Sequence, residues 1–322
     1  MDKMNAAVVT SFSEPPHYLP FDVPEPRTGD EMLVDVLAAG LHPRVRSGAA
    51  GVHYTSTGAL PMIPGIDGVG RRPDGKLIYF VADDHVLGTM ADKAVADAGR
   101  AIELPDDVNV AKVAAAMNPA MSSWVALRLR VPIEPGQSVL VLGVTGNAGG
   151  MAVEVAKRLG AGRVVGAGRD LERLSAVAAA GADDVIPLTA DDEATGTALA
   201  AAAAEVDIVL DYLWGKPAQR AIVALLTARS DRSRAMNWIQ IGSVAGPTIE
   251  LPSVALRSAN LRVLGNGQGA VSGRAYLAEL PSLVAEINSG AIAVSANPVP
   301  LAEVEAAWTR TGSPGERTVL VP

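Results

Sequence analysis

Residues 139–161 read VLVLGVTGNAGGMAVEVAKRLGA, an unbroken apolar run that gives way to glycines and then to a helical pattern. With Ser138 in front, the run has no polar alternation, the mark of a short strand buried on both faces of a parallel sheet. After the glycines, Val155, Ala156 and Leu159 fall on one helical face, with Glu154 and Arg158 as an i, i+4 pair outside. Gly143 suits a tight exit from the strand, Gly146 leaves backbone open to a ligand with no Cβ in the way, and Gly149 allows close packing of helix on sheet. Behind them a helix N-terminus offers unpaired amides and a partial positive charge. The turn, with Thr145, Asn147 and Ala148 among its glycines, suits a diphosphate. The spacing is G-x-x-G-x-x-G, and a ligand-free strand-to-helix turn accounts for glycines alone, so the context decides.

From about Ala111 to about Gly265, apolar runs alternate with alanine-rich helical segments: SVLVLG, RVVGAG, DDVIPL, VDIVLDYL, NWIQIG and LRVLGN. That is the rhythm of a doubly wound parallel sheet. The low-complexity run ALAAAAAEV reads as a packed helix, alanine being the best helix former. Upstream, β-like pieces such as AAVVTSF and EMLVDVLAAG are split by proline and glycine clusters, which predicts a strand-rich domain with irregular loops. Downstream stand a helix (AYLAELPSLVAEINSG), an amphipathic LAEVEAAWTR and a closing strand, RTVLVP. The expected class is α/β, with a β-rich domain over 1–120 completed by 268–322, and a nucleotide-binding domain over 121–267.

Composition narrows the chemistry. The 322 residues are 49% hydrophobic, enough for two cores. A net charge of −8 gives nucleic acid or an anionic membrane little general attraction, so small molecules are the expected ligands. No uncharged apolar run is long enough to span a bilayer, and the first residues lack a secretory pattern; the expected location is the cytoplasm. With no cysteine there is no disulfide, thiolate zinc site or cysteine nucleophile, and the four histidines lack i, i+4 spacing. No metal is expected.

The second strand of the nucleotide domain ends in RVVGAGRDLERL, where NAD-binding sites carry an acidic residue for the ribose hydroxyls. Here Gly168 is followed by Arg169, with Arg173 a helical turn further on. Guanidinium groups suit a 2′-phosphate and stack on adenine, so NADPH is favoured over NADH. The competing readings are a solvated helix-start arginine, or Asp170 as ribose acceptor if the loop shifts by one residue. Ligands of doubly wound sheets bind beyond the carboxyl ends of the strands. This places Leu213 and Trp214 on the adenosine side, and Gly242, Ser243, Asn266 and Gly267 toward the nicotinamide.

The order GLHPRVRSGAAGVHY, PMIPGIDGVG, AIELPDDV, NPAMSSWVAL, EPGQSVLVLGVTGNAGGMA, VDIVLDYLWG, WIQIGS and ERTVLVP resembles the medium-chain dehydrogenase/reductase superfamily, and within it the zinc-independent quinone oxidoreductase-like enzymes. The resemblance covers almost the whole chain. It implies a GroES-like β-rich catalytic domain plus a Rossmann doubly wound parallel-sheet domain, hydride transfer from NADPH to a quinone or α,β-unsaturated carbonyl, and a homodimer paired along the LRVLGN strand. It also implies Tyr54 as a donor to the acceptor carbonyl, Ser122 close to the nicotinamide with Asn118 approaching the same space, and Arg317 as a basic residue reaching the cofactor. Tyr54 reads equally as loop packing, Ser122 and Asn118 as caps of the following helix, and Arg317 as a surface ion pair. His42 stands where relatives read Asn, in His42-Pro43, and is a candidate to touch nicotinamide or substrate; His53 is a weaker one. The acidic residue that often follows in relatives is missing, which points to a different substrate pocket. Alternatives are a non-catalytic NADPH-binding redox-sensing protein and an enoyl-thioester reductase, whose carrier would need a basic mouth such as Arg44, Arg46, Arg71 and Arg72.

Overall fold

The computed structural model describes residues 2–53, 55–82, 86–267, 269–310 and 315–322. The chain divides into two compact units, Met1–Asn118 with Gly273–Pro322, and Pro119–Ser272.

In the first unit, β1 (Lys3–Val8) pairs antiparallel with β2 (His17–Asp22). The longest strand is β3 (Glu31–Gly40), matching EMLVDVLAAG, and it leads into a one-turn-plus helix α1 (Pro43–Ala49), with Pro43 at its first position. Then follow β4 (Asp67–Arg71), β5 (Leu77–Val81), β6 (Lys93–Asp97) and β7 (Ala101–Glu103). A bulge between Val36 and Ala38 breaks the register of β3 against β4; the front half of β3 pairs with β6. The AAVVTSF run is strand only as far as Val8: Val9 makes an isolated bridge to Met62 and the chain then turns away.

Helix α2 (Val110–Val125) contains Pro119, and the division between the units falls inside it. Asn118 and Ser122 therefore lie within a helix rather than ahead of one. This corrects the reading of either as a cap.

In the second unit, the six apolar runs are β8 (Ser138–Leu142), β9 (Arg163–Gly168), β10 (Asp184–Pro187), β11 (Ile208–Asp211), β12 (Met236–Gln240) and β13 (Leu261–Gly265). Between them run α3 (Asn147–Arg158), α4 (Leu171–Ala179), α5 (Asp192–Ala203), α6 (Gly215–Ala228) and α7 (Ser253–Arg257). All pairs are parallel, in the order β10-β9-β8-β11-β12-β13. The order reverses between β8 and β11, the point at which a doubly wound sheet opens a crevice at its carboxyl edge. Leu140, Leu142, Val165, Val209 and Trp238 are fully buried and pack with Ile222 and Leu225 of α6. Leu159, expected on the buried face of α3, is half-exposed at the helix end.

The chain returns to the first unit through α8 (Gly273–Asn288), β14 (Ser295–Pro300), α9 (Val304–Thr309) and β15 (Glu316–Val321). β15 joins β3 antiparallel and β14 parallel, at the edge of the sheet β14-β15-β3-β4-β5-β7. Among the described residues, no helix is long and apolar enough to cross a membrane.

Candidate functional site

The carboxyl edge of the second unit is built around the turn after β8. Gly143 has φ +88, which lets the chain reverse and donate both Gly143 N and Val144 N to Ala167 O at 2.8 and 3.1 Å. A Cβ on Gly149 would fall inside the contact envelope of Gly143 O, so α3 leaves the sheet at this closeness only with glycine there. Gly146 is the N-cap of α3, exposed, in extended conformation, and no side chain caps the helix start. Thr145, Asn147 and Ala148 are half-exposed around it. A helix start without a side-chain cap, behind an exposed glycine, is the arrangement that receives phosphate oxygens.

Gly168 closes β9 against Thr145, whose Cγ2 lies 2.5 Å from where a Cβ on Gly168 would stand. Arg169 is exposed and carries no hydrogen bond or ion pair among the described residues. Asp170 caps α4, its carboxylate accepting from Arg173 N at 3.1 Å. That oxygen is committed to the helix, which disfavours the reading of Asp170 as ribose acceptor. Arg173 Nη2 donates to Asn147 Oδ1 at 3.1 Å, bringing the second arginine of the RDLER run to the glycine turn.

The far side of the edge rests on two groups whose roles the sequence pattern did not signal. Asp211, fully buried, accepts from Leu213 N (2.8 Å), Trp214 N (2.9 Å) and Trp238 Nε1 (2.9 Å). Burial pushes its pKa up, and those three donors pull against it. The carboxylate thus shapes the 213–215 turn, where Trp214 has φ 53. Leu213 and Trp214 are half-buried, and Leu213 sits over Gly143. Tyr212 OH lies 3.0 Å from Ser122 Oγ, and desolvation pushes its pKa up to about 12. Asn266 Nδ2 donates to Ser122 O at 2.8 Å. Ser122, Tyr212 and Asn266 form one cluster. Gly242 packs on Tyr212 O, whereas Ser243 and Gly267 are exposed on the loops after β12 and β13. Arg130 fixes the last loop, donating to Gly265 O (3.0 Å) and Ala270 O (2.9 Å).

In the first unit, His42 is 1% exposed; its Nε2 lies 3.0 Å from Asp67 Oδ1, and its Nδ1 is buried with no partner. Tyr79 OH donates to Asp67 Oδ2 at 2.7 Å, and burial with that carboxylate raises the phenol well above its ordinary value. Arg317, also buried, donates to Leu41 O at 3.3 Å. Desolvation lowers its pKa to about 10 against the pull of Asp67. Arg317 is therefore interior rather than a surface ion pair. A cleft open to solvent lies in the same unit, lined from α1 and from residues 53–66. His53 lines it, with Nδ1 2.8 Å from Thr55 Oγ1. His42 does not line it. Tyr54 lies outside the described residues. Asn118 is half-buried in α2.

Over 366 aligned residues, covering 99% of this chain and 100% of the other, the protein is 30% identical to the Emericella nidulans protein described as "Probable NADPH-dependent quinone reductase tdiC". The chain belongs to the medium-chain dehydrogenase/reductase superfamily. Within that superfamily it is quinone oxidoreductase-like. A solved structure of the quinone oxidoreductase from Thermus thermophilus, studied also in complex with NADPH, is 25% identical with a TM-score of 0.80, covering 99% of this chain and all of that one. A second curated relative, a phenolphthiocerol/phthiocerol polyketide synthase component of Mycobacterium tuberculosis, is 30% identical over 210 residues, 61% of this chain and 9% of that protein. No family model matches the chain. The superfamily fold, a GroES-like β-rich part plus a Rossmann sheet, accords with the two units described above. Among the described residues, no three His, Cys, Asp or Glu side chains form a group that could hold a metal.

Proposed function

We propose that this member of the superfamily is an NADPH-dependent reductase that delivers hydride to a quinone or another α,β-unsaturated carbonyl compound without a metal. The observation that carries the reading is the uncapped start of α3 behind Gly146, with the exposed Arg169 closing the neighbouring strand. Dinucleotide chemistry fits both: the helix start satisfies a diphosphate, and a free guanidinium beside it satisfies a 2′-phosphate. Full-length similarity to a protein described as an NADPH-dependent quinone reductase supports the same cofactor.

NADPH supplies the hydride; the chain supplies position and polarity. In this reading Gly143, Thr145, Gly146, Asn147 and Ala148 hold the diphosphate by backbone. Gly168 makes room for the ribose, Arg169 and Arg173 hold its phosphate, and Leu213 and Trp214 flank the adenosine. Ser122, Gly242, Ser243, Asn266 and Gly267 orient the nicotinamide, with Asn118 and Arg317 as further contacts. Tyr54 donates to the acceptor carbonyl as negative charge grows on its oxygen. His42, its ring buried against Asp67, belongs to the reading as a positioning residue. Domain limits of 1–120 with 268–322, and 121–267, remain those of the proposal, as does a homodimer.

A second reading, reduction of a carrier-bound enoyl thioester, is favoured by the similarity to a polyketide synthase component. Three of the four arginines of the basic mouth it needs are engaged within the unit. Arg46 is spent on the carbonyls of Ala307 and Trp308, Arg71 on Gly75 O and Arg72 on Asp74. Purified protein with NADPH, screened against quinones, enals, cyclic enones and enoyl thioesters, separates the two readings. Turnover confined to thioesters overturns the first.

A further inference from the structure

The cleft of the first unit is lined by residues of two kinds. Phe12, Val45, Met62 and Ile63 are apolar. Arg44, on α1, and the hydroxyl residues Thr55 and Ser56 are polar. Arg44 is half-buried and its guanidinium has no hydrogen bond or ion pair among the described residues, unlike those of Arg46, Arg71 and Arg72, each of which is tied down within the unit. Asp67 does not neutralise it by contact: both of its carboxylate oxygens are taken, by His42 and Tyr79. The Oγ of Ser56 is closed off from solvent and likewise has no partner. A guanidinium half out of water and an orphaned hydroxyl in the lining of one cleft are each costly to leave unsatisfied, and one ligand with two oxygens can meet both.

We infer that this cleft takes an anionic group, a carboxylate carried by the hydride acceptor, on Arg44 and Ser56, with the conjugated carbon skeleton against the apolar lining residues. The planar fork of arginine matches a carboxylate through two parallel N–H···O bonds, and partial burial strengthens the pair beyond an exposed ion pair. The preferred acceptor is then an unsaturated keto acid or a quinone acid rather than its neutral counterpart. The inference rests on the proposed reductase reading for the ligand's role as acceptor; binding of the anion itself does not depend on turnover.

The test is calorimetric titration of the full-length protein, loaded with NADP+ so that nothing turns over, with β-acetylacrylate and with its methyl ester. Wild type is expected to bind the acid at least roughly tenfold more tightly than the ester at low salt, the scale of a charge-assisted contact. Arg44→Leu is expected to level the two affinities, and Arg44→Lys to restore part of the difference. Should Arg44→Leu melt well below wild type, Arg44→Gln serves as the same comparison. Equal binding of acid and ester by wild type, no measurable binding of the acid, or a preference that survives loss of the arginine overturns the inference. A parallel assay with NADPH keeps the two claims apart. Reduction of the ester with no preference for the acid leaves the reductase reading standing and this inference refuted. An Arg44-dependent preference with neither compound reduced does the reverse.

Discussion

Gly146→Ala should separate binding from folding at the glycine turn. At this position φ is −79 and ψ 159, a conformation open to any L-residue, and an added Cβ meets only Gly143 O, at 3.3 Å. Relief of that contact takes a shift of a few tenths of an ångström, and replacing an N-cap glycine by alanine costs about 1 kcal/mol or less. The fold should therefore survive. On the proposed reading the new methyl, however, stands on the exposed face through which phosphate oxygens reach the start of α3. Each charge-assisted bond there is worth about 1.5–3 kcal/mol, so displacing two weakens NADPH roughly hundredfold or more. The control is Gly149→Ala, whose Cβ would overlap Gly143 O and lie 2.8 Å from Val144 Cα, both backbone; that variant should lose stability first. Fluorescence titration of NADPH and thermal denaturation, run on both variants, read the two effects independently. A Gly146→Ala protein that melts like wild type and binds NADPH with wild-type Kd would show that the diphosphate does not lie on this turn.

Three further outcomes follow from single sites. Arg169→Ala should weaken NADPH tenfold or more, the loss of about 1.5–3 kcal/mol, while barely changing NADH; equal losses in the two titrations would remove the arginine from the 2′-phosphate. Asp207 is partly desolvated, which favours its neutral form, but hydrogen bonds from Ser138 N and Oγ and from Arg234 outweigh this and hold its pKa below the ordinary 3.8. A depressed carboxylate contributes stability that is present above its unfolded value and lost as pH falls through the folded one. Asp207→Asn should accordingly lower the melting temperature at neutral pH, with the gap to wild type closing below about pH 3.8; a gap that stays constant down to strongly acidic pH would refute the assignment. Finally, β13 ends the six-stranded sheet with one side of its ladder unpaired and Val263 40% exposed, a surface suited to a second copy. Sedimentation at micromolar concentration should give a dimer, and a monomer would dismiss that pairing.

The nucleotide unit was legible because its signals are local. Each parallel strand is a short apolar run, each of α3 to α6 begins within five residues of the strand before it, and Gly143, Gly146 and Gly149 mark one turn by composition alone. The first unit was less legible. β14 spells SANPVP and is no strand by pattern, since its two prolines interrupt a ladder, although an edge strand tolerates them. Ser122 and Asn118 read as caps because serine and asparagine are common at helix starts, whereas α2 runs through both and carries Pro119 in its interior. The supports of the site were hidden for a different reason. Asp211 finds Trp238 27 residues away and Asn266 reaches Ser122 across 144, separations on which neither periodicity nor spacing bears. The same is true of His42 and Asp67, 25 residues apart, whose pairing turns a candidate contact into an interior bond.

The central claim is that hydride leaves NADPH for a conjugated carbonyl on this protein, and isotope transfer measures it most directly. NADPH carrying deuterium on the transferable face of its nicotinamide, incubated with the protein and a cyclic enone or quinone, should be consumed in step with the acceptor. With an enone, the label should appear on the β-carbon of the reduced product. NADPH that binds, yet is neither consumed nor stripped of its label by any quinone or enone supplied, would contradict the account and favour a nucleotide-binding protein without catalysis.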